Sequence, residues 1–493
     1  MPIGSNRNAN AATTEQNADV LVVFKDFLGQ LVGKIGKIDR VGCVRTQVYQ
    51  VVLGQIEERF EVCLQMKTGM VGGNKNFLHR NKLIFNNHLN KINNFVSILV
   101  IYSSMQDFFK PLDAALFAHH NAYALHSLGS TMPRYTADFP DLDGVELAIV
   151  GIEEERQTQH NMGVRDAPNK VRQELYQLFR GLWTVNIVDL GNIRLGNTIN
   201  DTYNALQTVC EELIINGTIP IIIGGSIDLS YGQFLAYDRL GERIELATID
   251  SKINLEFLGD FHDQNYLFKM LSYEPSFINN YVNLSHQGYL CDPEHLDFLY
   301  RLNFDTVRLG EIRHNILHAE PHLRLVNSVV FNMAAIRSFE APNHPSCSSP
   351  NGLFAHEACQ IMKYAGLADR LTSVGFYNYN PIFDRNRQTA MLLSQMIWHF
   401  IDGFCSRVGE SPYKNDQKKF IKHIALLKET NYEFVFYKSK LTDRWWIQVP
   451  TSKNSDKLEK TVIVPCTYED YKTIAIDQNV PDKWIKIQQR YSK

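Results

Sequence analysis

Chemically usable side chains in this chain concentrate in three short segments. They are Gly224-Gly225-Ser226-Ile227-Asp228-Leu229-Ser230-Tyr231-Gly232, Ile249-Asp250-Ser251-Lys252-Ile253-Asn254 and Val330-Phe331-Asn332-Met333-Ala334-Ala335. Asp250 and Lys252 stand two apart at the end of an extended apolar run, so their side chains leave the same face. A carboxylate and an ammonium so placed form an ion pair that neutralises the acid. Alternatively, Asp250 caps a helix or accepts from backbone amides while Lys252 reaches solvent. His262 and His356 are the nearest candidates for acid–base work, although a histidine beside an apolar helix more often serves packing.

These segments are positioned by an alternation of strands and helices from Val145 to about Phe404. The pattern predicts strands over Val145–Ile152, Thr184–Leu190, Ile219–Ile223, Ile244–Ile249, Tyr281–Leu284, Thr306–Leu309 and Ser328–Met333, with another ending at Gly375-Phe376-Tyr377. Helices are predicted over Pro168–Arg180, Asn200–Asn216, Leu229–Leu240, Pro293–Leu302, His356–Ala365 and Gln388–Phe404. Apolar strands joined by crossover helices imply a mainly parallel sheet covered on both faces, a three-layer α/β/α class. In such sheets ligands sit in the crevice at the carboxyl ends of the strands. Gly224-Gly225, Asp250 and Asn332 all fall at strand ends.

In order and spacing the three segments resemble the signatures of the ureohydrolase family, which includes arginase, agmatinase and formimidoylglutamase. The segment Asn161-Met162-Gly163-Val164-Arg165-Asp166-Ala167-Pro168 with Val171-Arg172 is similar to the family's entry to its first helix. Pro350-Asn351-Gly352-Leu353-Phe354-Ala355-His356-Glu357 is similar to its Gly-Gly-Leu-x-x-x-Glu. The Gly-Gly-Ser-x-Asp-Leu-Ser-Tyr-Gly form is closest in style to formimidoylglutamase. The resemblance implies an arginase-like fold over about 145–404. In the family the first segment carries a metal-binding His, the second reads Asp-x-His-x-Asp and the third Asp-x-Asp. The corresponding positions here are Ile227, then Asp250, Lys252 and Asn254, then Asn332 and Ala334. Asp250 alone keeps the family's ligand type at these six positions. Glu357 matches the glutamate that holds the substrate's cationic guanidinium or formimino end; as a first-turn helix residue it is also favourable to the helix dipole. The resemblance, read with these replacements, implies a pseudoenzyme with a degraded dimanganese site and no cofactor, serving in binding or assembly. Two other readings stand beside it. One is an active formimidoylglutamase or amidinohydrolase that hydrolyses a linear amidine C–N bond with Mn2+. The other is metal-free binding of a guanidino or amino-acid ligand through Glu357.

The rest of the chain bounds these readings. With 493 residues, 44% of them apolar and 21% charged, it has the composition of a globular protein. A net charge of −3 gives no reason to expect nucleic acid or an anionic membrane as partner. Cys43, Cys63, Cys210, Cys291, Cys347, Cys359, Cys405 and Cys466 form no C-x-x-C pair and read as inert thiols of a reducing, cytoplasmic compartment. A homo-oligomer is a further expectation. Residues 1–104 carry 12 Lys/Arg against 7 Asp/Glu and contain no motif. They are expected either to form an appended domain or to precede a natural start near Met105, and their first 18 residues read as disordered. Residues 105–404 are expected to form the α/β domain, and 405–493 a small α+β region. In that region Lys418–Thr430 reads as a basic amphipathic helix, and Glu433–Tyr437, Trp445–Val449, Thr461–Val464 and Trp484–Ile487 read as strands. Of Trp445 and Trp446, one is expected in a core.

Overall fold

Successive runs of Ile, Val and Leu that alternate with amphipathic segments pair into a 9-stranded sheet. The structure, a computed structural model, describes residues 105–114, 124–257, 259, 262–412, 417–450 and 461–491. Expectations for residues 1–104 lie outside the described residues. Contacts separate Met1–Phe108 from Phe109–Lys493, and the sheet with all its helices belongs to the second unit.

In chain order the elements are β1 (Phe109–Lys110), α1 (Leu128–Thr131), β2 (Leu147–Gly151), α2 (Ala167–Leu175), β3 (Ile187–Ile193), α3 (Ile199–Ile215), β4 (Ile219–Ile223), α4 (Ser230–Leu240) and β5 (Ile244–Ile249). They continue with α5 (Tyr266–Leu271), β6 (Ile278–His286), α6 (Pro293–Arg301), β7 (Asp305–Arg308), α7 (Leu309–His314), α8 (Glu320–Leu323), β8 (Ser328–Asn332), α9 (Ala355–Gly366), β9 (Ser373–Tyr377) and α10 (Gln388–Cys405). Across the sheet the strands lie in the order β1-β3-β2-β4-β9-β8-β5-β6-β7. Only β1 runs antiparallel to its neighbour; β2 to β9 pair in parallel. Parallel strands need crossovers, and these place helices on both faces. Ile221, Ile223, Phe331 and Phe376 point to one face, where they share a core with Val171, Leu175, Ile361, Met396 and Phe400 of α2, α9 and α10. On the other face α3 packs on α4, and Gln233 and Tyr237 of α4 reach Ser328, Asn327 and Ser373. The α/β/α arrangement read from the strand–helix alternation is therefore the observed one. The close crossing of α9 on α10 depends on Gly366 and Gly403, since a Cβ at either would strike the facing backbone.

The C-terminal region is a second, antiparallel sheet of four strands. It comprises β10 (Phe420–Leu427), β11 (Tyr432–Ser439), β12 (Trp445–Pro450) and β13 (Thr461–Cys466), followed by α11 (Tyr468–Ala475) and α12 (Asp482–Tyr491). Two expectations are corrected here. The helix expected over Lys418–Thr430 is strand β10, which pairs with β11 along its whole length. Ala425 and Leu427 enter the core at a spacing of two while Ile424 and Leu426 face out, so pairing overrode a helical reading of the lysines. The strand expected at Trp484–Ile487 is part of helix α12. Pro481 precedes its start, and Trp484 and Ile487, three apart, present one helical face to the sheet. Trp445 and Trp446 are both buried. Trp445 sits in the small core, and Trp446 lies under the Arg324 guanidinium at 4.6 Å. Arg324 also donates to the Trp445 carbonyl at 2.8 Å, which ties the small sheet to the main domain.

Among the described residues no helix is long and apolar enough to cross a membrane. The six described cysteines are all free.

Candidate functional site

Four neighbouring strands, β4, β9, β8 and β5, end at one rim, and the residues singled out from the sequence lie there. Gly224 and Gly225 follow β4, Asp250 follows β5, Asn332 closes β8 and Asn378 follows β9. Gly225 is required by proximity: a Cβ would overlap the Glu154 carbonyl.

Asp250 is 1% exposed, and its carboxylate is held by three donors. Oδ1 accepts from the Lys252 backbone N–H at 3.1 Å, and Oδ2 accepts from Asn254 Nδ2 at 2.9 Å and Asn332 Nδ2 at 2.7 Å. Burial pushes its pKa up to about 6, against the pull of Asn332 and the Lys252 amide. Asn332 Oδ1 in turn accepts from the Ala334 N–H at 3.0 Å and Asn378 Nδ2 at 3.2 Å. Asn378 Oδ1 accepts from the Ile227 N–H at 3.1 Å. One hydrogen-bonded chain thus runs from Ile227 through Asn378, Asn332 and Asp250 to Asn254. Asn378 has φ of 65°, a left-handed conformation that asparagine tolerates better than most residues.

Of the two readings of Asp250 and Lys252, the ion pair is not formed. Lys252 Nζ turns into the cleft and donates to the Ser346 carbonyl at 3.4 Å; the amides of Asn254 and Asn332 occupy the place beside the carboxylate. The cleft has a volume of about 440 Å³ and is bordered by Asp250, Lys252, Asn254, Asn332, Ala334 and Asn378, with Ser346–Asn351 forming its opposite wall. The Ile227 side chain is buried, 1% exposed, and only its amide joins the network.

Glu357 does not border this cleft. Its Oε2 accepts from the Phe354 N–H at 2.7 Å, capping α9, and stands 4.0 Å from Arg313 Nε. His262 is nearly buried and accepts from the Gln264 N–H at 3.1 Å through Nδ1. His356 is exposed and stacks on Phe354 with ring centroids 5.7 Å apart. Sequence reading missed Asn378 and most of the wall, Ser346–Ser349, although Pro350 and Asn351 open a segment it singled out. An Asn directly after a strand in Phe376-Tyr377-Asn378 was the available signal for the first, whereas the wall is an irregular loop without a periodic pattern.

The network carries a stability prediction. Asn332→Leu removes one of three donors to a buried carboxylate and should cost about 2 kcal/mol near neutral pH. Since the Asp250 pKa rises on folding, burial costs nothing where the acid is protonated in both states; its cost grows from the ordinary value of 3.8 to about 6 and is complete above that, and a missing donor adds its own cost only where the folded acid is ionised, above about 6. The difference between variant and parent, read by urea denaturation, should therefore shrink on going from neutral pH to pH below about 5. A pH-independent difference would mean that Asp250 is not the group affected.

The model of the arginase family matches residues 145–263. The chain carries an arginase-family domain. Its relatives include the formimidoylglutamase of Staphylococcus aureus strain MRSA252, 22% identical over 262 residues, which span 49% of this chain and 79% of that protein. Among solved structures, formiminoglutamase of Trypanosoma cruzi with Mn2+ superposes at a TM-score of 0.51 and 21% identity, over 55% of this chain and all of the other. Formimidoylglutamase of Bacillus subtilis subsp. subtilis str. 168 gives 0.53 at 16% identity, over 58% and 94%. The arginase-like fold thus accounts for the main sheet and its helices. Among the described residues no three His, Cys, Asp or Glu side chains form a group able to hold a metal ion.

Proposed function

We propose that this arginase-family chain is a cytoplasmic, non-catalytic binding or assembly protein. In this reading its strand-end cleft takes up a small guanidino or amino-acid ligand without Mn2+. The observation that carries the reading is the state of the Asp250 carboxylate. Both of its oxygens accept from N–H donors, and two of those donors are the side-chain amides of Asn254 and Asn332. A dication needs lone pairs directed at it; here the amides direct hydrogens at Asp250. Lys252, which also borders the cleft, adds positive charge where a dication would need the opposite. The donor set does not fit a two-metal centre, and no hydrolytic step is derived through one. Neither nucleic acid nor a membrane is part of this reading, in keeping with the net charge of −3.

The second reading, an active formimidoylglutamase or related amidinohydrolase, is favoured by the names of the relatives and by nothing at Asp250. The test is metal content after Mn2+ loading and desalting, together with assays for urea or formamide release from arginine, agmatine and formiminoglutamate. We expect less than stoichiometric metal and no product. Two bound ions per chain, or turnover abolished by Asp250→Ala, would replace this proposal with the second reading.

A further inference from the structure

The small antiparallel sheet ends in a strand built for pairing. Among the described residues β10 has a neighbour on one side only. It is eight residues long and pairs with β11 from Phe420 to Leu427 without a bulge. Regular edges of this kind present a row of N–H and C=O groups, and proteins usually blunt them with proline, bulges or several charges; here the Gln478 side chain covers the far end alone, donating to the Leu426 carbonyl at 3.3 Å and accepting from the Lys428 N–H at 2.9 Å. Here the strand reads Phe420-Ile421-Lys422-His423-Ile424-Ala425-Leu426-Leu427, with one charge. Helices α11 and α12 cover the face that holds Ala425 and Leu427. On the other face Ile424 is 53% exposed and Leu426 45%. A half-solvated antiparallel sheet normally turns polar residues outward, so this face and edge are unusually apolar.

We propose that β10 is a homodimer interface, pairing antiparallel with β10 of a second copy about a two-fold axis at Ile424. Side chains directly opposite in such a pair lie on the same face, and an axis through one residue meets that condition. Pairing about Ile424 sets Lys422 of one copy opposite Leu426 of the other. Within each copy Leu426 already faces Glu433 of β11. Lys422 therefore stands two strand spacings, about 10 Å, from Glu433 of the other copy. A lysine extended over the intervening Leu426 reaches that carboxylate, burying its stem and keeping its ammonium at the surface. Both residues are exposed, and neither forms an ion pair among the described residues. The contact occurs twice by symmetry, covers the two most exposed apolar side chains of the strand, and joins two edges into an eight-stranded sheet, the Lys422 N–H of the other copy taking the Leu426 carbonyl from the Gln478 side chain. This charge complementarity favours a second copy over an unrelated strand as the occupant. It rests on the C-terminal sheet and is independent of the reading of the cleft.

The experiment is sedimentation of the full chain across the micromolar range, with three variants. The parent should be dimeric. Ile424→Lys, which places two like charges on the axis, should be monomeric. Lys422→Glu should weaken the dimer at least about tenfold through repulsion by Glu433, and Lys422→Glu with Glu433→Lys should restore it. All three positions are exposed, so an unchanged circular-dichroism spectrum is the control for folding. In parallel, hydrogen exchange of the parent should slow at β10 as concentration rises. A monomeric parent, a dimer indifferent to Ile424→Lys, a double variant no tighter than the single one, or exchange at β10 independent of concentration would each overturn the proposal.

Discussion

Replacing Arg172 by methionine should destabilise the arginase-family domain by about 4 kcal/mol, because it leaves a buried acid without its counter-charge. Arg172 is in α2 and fully buried. Its Nε donates to Asp189 Oδ2 at 2.8 Å, and one terminal nitrogen donates to Asp189 Oδ1 at 2.9 Å and to the Gly191 carbonyl at 2.8 Å. The other terminal nitrogen reaches Asn192 Oδ1. These bonds join α2 to β3, the strand next to the edge strand β1. After the substitution Asp189 would keep only the Tyr176 hydroxyl and the Gly191 N–H as donors. Methionine fills much of the same volume, so loss of the counter-charge, not a cavity, dominates the expected effect. Arg172→Met together with Asp189→Leu should recover at least half of the loss, since both charges then leave together. Urea denaturation of the two variants beside the parent decides it. Additive losses, or a cost under about 1 kcal/mol for the single variant, would show that the pair is not the tie between α2 and the sheet.

Arg172 also shows what a sequence can reveal. Val171-Arg172 was visible as part of a helix-entry motif, but nothing in its spacing named Asp189 as partner. The main strands and helices were legible because apolar runs of five or six residues, such as Ile219–Ile223, alternate with long amphipathic segments such as Ile199–Ile215. Those patterns are local consequences of burial on two faces. The small sheet was less legible. Phe420–Leu427 owes its extended form to pairing with β11, and Trp484–Ile487 owes its helical form to the sheet it covers; both depend on residues distant in sequence. The convergence of Asp250, Asn254 and Asn332 followed from strand order. Which group would neutralise Asp250 did not, because a lysine two residues away and two amides on separate segments are equally compatible with the sequence. Side-chain direction decided for the amides, and Lys252 turned toward Ser346.

If those amides stand in for metal charge, restoring the family's ligand types should make the stability of the fold depend on a metal ion. The variant is Ile227→His with Lys252→His, Asn254→Asp, Asn332→Asp and Ala334→Asp. Asn332 Nδ2 is 2.7 Å from Asp250 Oδ2, so Asn332→Asp alone brings two carboxylates into contact in a buried site. Carboxylates that share a site cannot all ionise, and the pKa of at least one must rise. Without an ion the rebuilt chain should lose on the order of 5 kcal/mol near neutral pH. The loss should lessen as pH falls, because acids with raised pKa values recover stability when protonated. With Mn2+ at about a thousand times its dissociation constant, binding returns about 4 kcal/mol. The pH trend then reverses, since protons compete with the ion for the same oxygens. Thermal melts with Mn2+ and with a chelator read all of this without an activity assay. The parent should melt at one temperature in both. A rebuilt chain equally stable in both would mean that these positions do not act on one another through charge, and that the asparagines at 254 and 332 are not what replaced the ions.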